Sequence, residues 1–152
     1  RKENYYAYLV SNKWHKNLPR QKVDSYLGRY HKLEPKQTSV RLSKEKNPLL
    51  FLLKKEIMIH GFKKQNKFLF MHPTGFNVNL KKKKVFDKNS NKEVCLGINQ
   101  GFLCAYTLSN LLSFKPNNKQ KSIKKALKIL LEIGIKPEKE VFLGVFNKLK
   151  MI

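Results

Sequence analysis

NNKQKSIKKALKILLEIGIKPEKEVFLGVFNK, residues 117–148, decides the predicted fold because its pattern indicates a helix, a helix end and a strand in succession. The helix is predicted over Asn117–Ile133, and Gly134 can take the left-handed conformation that ends it. Pro137 prevents continuation, and Val141–Phe146 is predicted to form a buried strand interrupted by Gly144. We therefore expect one helix face to pack on a sheet. The residues of that face are Ile123, Ala126, Leu127, Leu130 and Gly134.

The opposite face of this helix carries a cluster of lysines with few carboxylates to balance them. Such a face is usually only solvated, and that interpretation fits the helix taken alone. The shortage of acidic residues along the whole chain favours a second interpretation, in which the face lies along RNA. The lysines are Lys121, Lys124, Lys125 and Lys128.

The net charge separates this chain from most folded proteins. It has 152 residues, enough for one domain, with 33 Lys and Arg against 10 Asp and Glu, giving +23. Self-repulsion on this scale favours an acidic partner, either nucleic acid or an anionic membrane surface. The cations are spread over the whole length, and no apolar run approaches the roughly 20 residues that span a bilayer. Nucleic acid is therefore the expected partner.

The sequence before the helix predicts short strands around one further helix. That helix begins at Asn47-Pro48, with Asn as its cap, and stops at Gly61. A basic loop is predicted at Asn12–Arg20, and Gly28 marks a bulge. In one strand, Phe76, Val78 and Leu80 should face inward and Asn77 and Asn79 outward. The strands are Tyr5–Ser11, Lys22–Tyr30, Thr38–Leu42, Lys67–Met71, Gly75–Leu80 and Glu93–Ile98.

These elements predict an α+β or α/β fold, a small mixed sheet packed with two or three helices and with basic loops outside. Residues 1–80 form a strand-rich basic half and residues 93–152 an αβ half. Residues 81–92, rich in Lys and Asn, form an exposed connection between them within one compact unit. The pattern over Phe102–Phe114 leaves helix and strand both open.

Catalytic and metal-binding patterns are not expected here. The four histidines lack partners at metal-ligand spacing, and Gly97 and Gly101 lack the Lys-Ser/Thr ending of a phosphate loop. Cys95 and Cys104 lie in apolar surroundings and are predicted to be buried, reduced thiols. We therefore expect no enzyme, no cofactor, no metal and no small-molecule substrate.

Cations mixed with planar side chains are the remaining functional signal. Cations contact phosphates, and exposed aromatic rings stack on unpaired bases. Tyr26 can equally be a core residue, and Lys81–Lys84 can equally be a solvated turn. The candidate RNA-binding residues are Lys13, Trp14, His15, Lys16, Arg20, Arg29, Tyr30, Arg41, Lys81, Lys82, Lys83, Lys84 and Lys115, together with the helix lysines Lys121, Lys124, Lys125 and Lys128.

Two segments resemble small-subunit ribosomal protein families. The spacing of Leu27-Gly28-Arg29-Tyr30, Val40-Arg41-Leu42 and Phe51-Leu52 resembles the bacterial-type ribosomal protein sixteen family. Its Gly-Ala-x-Pro motif is replaced by Lys54–Met58. Leu112–Lys115, followed by a basic helix and Gly134-Ile135-Lys136, is similar to the ribosomal protein eleven family, with Ser113 in place of a glycine.

These resemblances imply a divergent organellar ribosomal protein of the mitochondrial matrix, with the cytoplasm as the alternative location. Abundant Lys, Asn, Ile and Phe are typical of an AT-rich coding sequence. The implied partners are ribosomal RNA and neighbouring ribosomal proteins. Leu18–Val23 with Tyr26-Leu27-Gly28 is also similar to the start of some insertion-sequence transposases. The alternatives are therefore a DNA-binding module of a mobile element and a basic protein–protein adaptor.

Overall fold

A mixed eight-stranded sheet with three helices forms the structure, which confirms the predicted fold class. It is a computed structural model that describes residues 4–42, 47–115 and 119–136. The helices are α1 (Pro48–Ile59), α2 (Ala105–Leu112) and α3 (Lys119–Ile133). The strands are β1 (Tyr5–His15), β2 (Leu18–Leu33), β3 (Lys63–Lys64), β4 (Leu69–Met71), β5 (Phe76–Asn79), β6 (Lys84–Asp87), β7 (Lys92–Ile98) and β8 (Gly101–Leu103).

The sheet order is β1-β2-β7-β6-β5-β4-β3, with β8 also paired to β7. β2 and β7 run parallel, and all other neighbours are antiparallel. β6 pairs with the start of β7 at Lys92 and Glu93, whereas β8 pairs with its end at Leu96–Ile98. Strand β7 is therefore the centre of the sheet.

Helix α1 has both of its predicted ends, and helix α3 has the C-terminal end predicted at Gly134, whereas its predicted start at Asn117 lies outside the described residues. The Asn47 side chain accepts hydrogen bonds from the amides of Leu49 and Leu50 at the start of α1, and Gly61 follows its end with φ of 101°. At the end of α3, Gly134 has φ of 103° and Ile135 N donates to Leu130 O over 2.9 Å. This bond satisfies a terminal carbonyl, as in other glycine-ended helices.

One hydrophobic core joins the sheet to all three helices. Ala126 and Leu130 are buried as predicted, and Ile123 and Leu127 are half-buried. The largest side chains with almost no exposed surface include Leu53, Phe70, Leu96, Leu108, Leu130 and Ile133. Burial of a side chain of this size contributes about 1.5–3 kcal/mol, so this core holds α3 against the sheet.

The structure corrects three local predictions. Asn12–Arg20 is a β-hairpin rather than a loop, because the strands on either side continue to a tight turn. Thr38–Leu42 is irregular rather than a strand. Asn77 is buried rather than facing outward, whereas Val78 is buried as predicted.

Two further segments have a conformation that the sequence pattern did not define. Phe102–Phe114 contains the end of β8 and then α2. Residues 81–92, predicted to be an exposed connection, contain β6 between two exposed turns. The predicted strand Val141–Phe146 lies outside the described residues. None of the helices in the described ranges has the length and apolar character that crossing a membrane requires.

Candidate nucleic-acid interface

Strands β1 and β2 extend well beyond the rest of the sheet. Only Arg29–Leu33 of β2 pairs with β7, whereas Leu18–Gly28 pairs with β1 alone. A two-stranded ribbon therefore projects from the sheet. We call the residues from Ala7 to Gly28 the ribbon arm.

The arm has a tight turn at its tip and a bulge at its base. Lys16 and Asn17 connect the strands with φ of 50° and 63°, the positive values of a type I′ hairpin turn. Ala7 pairs with Gly28 and Tyr8 pairs with Tyr26, so the register shifts by one residue between them. The predicted bulge at Gly28 is confirmed, and its φ is 116°.

The arm has two chemically different faces, because β1 side chains alternate and paired residues share a face. The aromatic face carries Tyr6, Tyr8, Val10 and Trp14 with their partners Arg29, Tyr26, Val23 and Pro19. The cationic face carries Leu9, Ser11, Lys13 and His15 with Ser25, Lys22, Arg20 and Leu18. Trp14 is 78% exposed at the tip of the arm.

Two cations lie directly opposite each other on the cationic face. Lys13 is the cross-strand partner of Arg20, and Lys22 follows on the same face opposite Ser11. The nearby carboxylate of Asp24 accepts a hydrogen bond from Ser11 Oγ over 3.2 Å. Between described residues, the side-chain contacts of opposite charge type are Lys128–Glu132 and the approach of His60 Nδ1 to Glu56 Oε1, both far along the chain from the arm. Like charges placed opposite each other destabilise a ribbon, so an anionic partner would relieve this repulsion.

The arm thus brings together the first predicted RNA-binding residues, Lys13, Trp14, His15, Lys16 and Arg20. Arg29 and Tyr30 lie at its base, where they make contacts within the protein. The Arg29 guanidinium donates to Asn4 Oδ1. The Tyr30 ring covers Gly97 and lies edge-on to Phe102, with 6.0 Å between ring centroids.

The remaining predicted residues lie elsewhere. Arg41 is exposed in the irregular segment after β2, and Lys115 is exposed after α2. Lys81–Lys83 form the turn between β5 and β6, where Asn79 Oδ1 accepts hydrogen bonds from two of their amides, and Lys84 begins β6. The structure does not join this turn to the arm.

Helix α3 presents its described lysines to solvent. Lys124, Lys125 and Lys128 are exposed, and Lys128 Nζ lies 4.0 Å from Glu132 Oε1. The side chain of Lys121 lies outside the described part of the chain. Farther along α3, Leu131 and Glu132 line the same 330 Å³ pocket as residues at the base of the cationic face, which are Ala7, Leu9 and Leu27. The end of α3 therefore borders that face of the arm.

Sequence reasoning missed Tyr6 and Tyr8 and left Tyr26 open between base stacking and the core. Tyr26 lies 5.2 Å from Tyr8 and 6.3 Å from Tyr6 between ring centroids, and all three rings are about half exposed. The alternation of Tyr6 and Tyr8 in a strand was the available signal, since it places both on one face. Tyr6 and Tyr26 also line a 510 Å³ groove at the base of the arm.

Two histidines near the sheet, His31 and His72, have lowered pKa values. Burial, followed by the nearby Arg29 charge, lowers the pKa of His31, although Asp87 acts in the opposite direction. Burial also lowers the pKa of His72 and outweighs the hydrogen bond to the His60 carbonyl. Both rings therefore favour the neutral state at pH 7.

The two cysteines are buried, free thiols, as predicted. The hydrogen bond between them and their burial raise the pKa of Cys95. In the described ranges, no cluster of three His, Cys, Asp or Glu side chains could hold a metal ion.

No family model, curated protein or solved structure matches this chain.

Proposed function

We propose that this protein is a non-catalytic constituent of the ribosome that binds ribosomal RNA and stabilises small-subunit assembly. The observation that carries the proposal is the cross-strand pair of Lys13 and Arg20 on a projecting ribbon arm, neither of which forms an ion pair with another described residue. A structural hairpin gains nothing from this repulsion, whereas a hairpin that contacts phosphates does.

The geometry supports contact with a folded RNA. The arm extends from the sheet, so its tip can reach between RNA helices while the core stays outside. Each Lys or Arg that neutralises a phosphate releases counterions, which drives binding without reading sequence. A net charge of +23 supplies many such contacts.

The resemblance to two small-subunit ribosomal families supports the ribosome as the location of that RNA. The same resemblance, with the AT-rich composition, supports the mitochondrial matrix as the compartment. Neighbouring ribosomal proteins would then be the protein partners. The exposed turn at Lys81–Lys83 offers a second contact with a phosphate backbone.

A second function is favoured by the shape of the arm. A two-stranded β-ribbon fits the major groove of B-form DNA, whereas the major groove of A-form RNA is too narrow for side chains to read. The runner-up is therefore duplex DNA binding by a module of a mobile-element protein.

The experiment measures the affinity of the purified protein for small-subunit ribosomal RNA and for duplex DNA at several salt concentrations. The test variant is Lys13→Gln with Arg20→Gln. The matched control is Lys63→Gln with Lys64→Gln, which removes the same charge from exposed residues of β3 at the far edge of the sheet.

We expect the test variant to weaken ribosomal RNA binding and to reduce the salt slope by about 1.5, since about 0.7–0.9 counterions are released per phosphate. The control should lose less affinity. Equal effects of the two variants would overturn the role of the arm. Tighter binding of duplex DNA than of ribosomal RNA would favour the mobile-element function.

A further inference from the structure

A groove of 510 Å³ lies where the aromatic face of the arm meets strand β7. Its volume is within the range of about 300–1,000 Å³ that is typical of small-ligand sites. Of the residues around it, Arg29 was predicted from the sequence to bind RNA, and Tyr26 was left open between base stacking and the core. The groove therefore needs its own explanation.

Tyrosine rings form one wall of the groove. Tyr6 and Tyr26 both line it, with their centroids 6.3 Å apart and their planes 40° apart. Each ring is about half exposed, so the two rings together present an apolar patch to solvent. A planar ligand that stacks on these rings would cover that surface.

Charged groups of both signs line the rest of the groove. Arg29 and Lys92 supply cations, and Asp87 and Glu93 supply carboxylates. Two of the six acidic residues in the described ranges therefore lie here. The six are Asp24, Glu34, Glu56, Asp87, Glu93 and Glu132.

This concentration of carboxylates separates the groove from a plain phosphate site. A carboxylate repels phosphate but accepts a hydrogen bond from the exocyclic amino group of a base. The groove thus offers acceptors for a base edge as well as cations for the phosphate of the same nucleotide.

Glycine makes the close approach of the two strands possible. A Cβ atom on Gly28 would lie 2.6 Å from the Glu93 carbonyl oxygen, and the positive φ of Gly28 also disfavours other residues. The bulge at this position shifts the β2 register and brings Tyr26 opposite Tyr8. The base of the groove and its aromatic wall therefore depend on the same bulge.

We propose that this groove binds one unpaired nucleotide of the RNA, with its base stacked on Tyr6 and Tyr26, its amino group donating to Asp87 or Glu93, and its phosphate at Arg29 and Lys92. This inference rests on the proposed RNA-binding function. It names unpaired segments as the class of RNA recognised, because a base inside a duplex cannot reach the tyrosines. The aromatic face continues from the groove to Trp14, so the strand can follow the arm.

The test uses the full-length protein and three short RNA probes: an octamer of cytidine, an octamer of uridine and an eight-base-pair duplex. The cytosine base carries an exocyclic amino group and uracil does not. Binding is followed by the fluorescence of Trp14, the single tryptophan of the chain. We expect the cytidine octamer to bind more tightly than the uridine octamer, and both to bind more tightly than the duplex.

Two variants separate stacking from hydrogen bonding. Tyr26→Leu should weaken the binding of both single-stranded octamers at least fivefold, since stacking on one aromatic ring contributes about 1–3 kcal/mol per base. Glu93→Ala should reduce the preference for cytidine over uridine. Tyr106→Leu is the matched control, because Tyr106 is an exposed tyrosine of α2 that does not line this groove.

Tyr26→Leu with unchanged affinity for both octamers would overturn the proposal, provided that its circular dichroism matches the wild type. Equal affinity of the wild type for octamers and duplex would overturn it as well. In either case, ribosomal RNA binding that still depends on Lys13 and Arg20 would leave the proposed function intact. Failure of all RNA to bind would instead reject the proposed function itself.

Discussion

Gly101 and Gly134 are in backbone contact, so that a Cβ atom on Gly101 would lie 2.1 Å from the amide nitrogen of Gly134. A Cβ atom on Gly134 would lie 1.9 Å from the Ile98 carbonyl oxygen. The end of α3 therefore rests directly on the turn between β7 and β8. Asn99 in that turn donates from Nδ2 to both Gly134 O and Glu56 Oε1, each over 2.8 Å, and so ties α1 and α3 together.

Gly134→Ala should reduce the free energy of unfolding by about 3 kcal/mol. The substitution combines overpacking, which costs about 1–3 kcal/mol, with the cost of a left-handed conformation, about 1–2 kcal/mol. Gly75→Ala is the control, because Gly75 also has a positive φ but a Cβ there meets only side-chain atoms at 3.1 Å and beyond. Urea denaturation measures both, and an equal loss in the two variants would contradict the steric contact.

The left-handed conformation of Gly134 was predicted from sequence, but its contact with Gly101 was not. Helix ends follow from local chemistry, because glycine and proline act within a few residues. The contact joins residues 33 positions apart (134 minus 101), and no local pattern encodes such a pairing. The same limit explains why the groove was missed, since Tyr6, Arg29 and Glu93 meet only through the β2–β7 register.

The tip of the arm offers a test of its turn geometry. Lys16 and Asn17 have positive φ, which Asn-Gly adopts more readily than Lys-Asn. The double substitution Lys16→Asn and Asn17→Gly should stabilise the arm by about 1 kcal/mol, whereas Lys16→Val should destabilise it. Amide hydrogen exchange along β1 and β2 reports the arm directly. Faster exchange in the Asn-Gly variant would contradict the type I′ turn.

The same turn explains why sequence analysis predicted a loop at Asn12–Arg20. Lys-Asn is a weak turn signal, and the flanking residues, which include Pro19, show no sustained alternation of apolar and polar side chains. Proline is tolerated here because the arm is a two-stranded ribbon with free edges. By contrast, Gly75–Leu80 has apolar alternation that predicted β5, and only the burial of Asn77 departed from it.

The neutral state of His72 predicts that mild acid destabilises the fold. His72 Nδ1 lies 2.6 Å from Thr74 Oγ1 and Nε2 lies 3.1 Å from the His60 carbonyl oxygen, and burial lowers the pKa of His72 from its usual 6.5. Just below pH 6.5 the unfolded chain binds a proton at this histidine that the folded chain does not. The free energy of unfolding therefore decreases as the pH is lowered.

Urea denaturation between pH 7.5 and about 5.5 measures this dependence, with stability greatest at the upper end. His72→Gln should be less stable at pH 7.5 but show a flatter pH profile. The pKa of His31 is lowered as well, with burial as its main cause, so combining His72→Gln with His31→Gln should flatten the profile further. A wild-type profile that rises toward acid pH would contradict both assignments.

The thiols of Cys95 and Cys104 should report opening of the core. Both side chains are fully buried. The hydrogen bond between them raises the pKa of Cys95 and lowers the pKa of Cys104, so the slow reaction expected of Cys104 rests on its burial alone. A thiol reagent attacks the exposed thiolate, so reaction in native buffer should be at least about a thousandfold slower than in denaturant. Rapid reaction of either thiol in native buffer would contradict this burial. Ellman's reagent provides the measurement.

Replacing the lysines of α3 tests whether this helix face is only solvated or lies along RNA. Lys124, Lys125 and Lys128 are exposed, and the Lys128–Glu132 pair lies on the surface, so replacing the three by Gln should change stability by less than about 0.5 kcal/mol. The end of α3 borders the cationic face of the arm through the pocket shared by Leu131 and Leu9. One RNA could therefore contact both.

On that hypothesis, the triple Gln variant should weaken ribosomal RNA binding and reduce the salt slope by about 2.4, since each phosphate contact accounts for about 0.7–0.9. The control replaces Lys63, Lys64 and Lys67 by Gln, which removes equal charge around β3 at the far edge of the sheet. A salt slope that equals the control's would mean that the α3 lysines are only solvated. RNA contact would then be left to the ribbon arm and to the turn at Lys81–Lys83. Lys13 and Arg20 of the arm make an independent prediction.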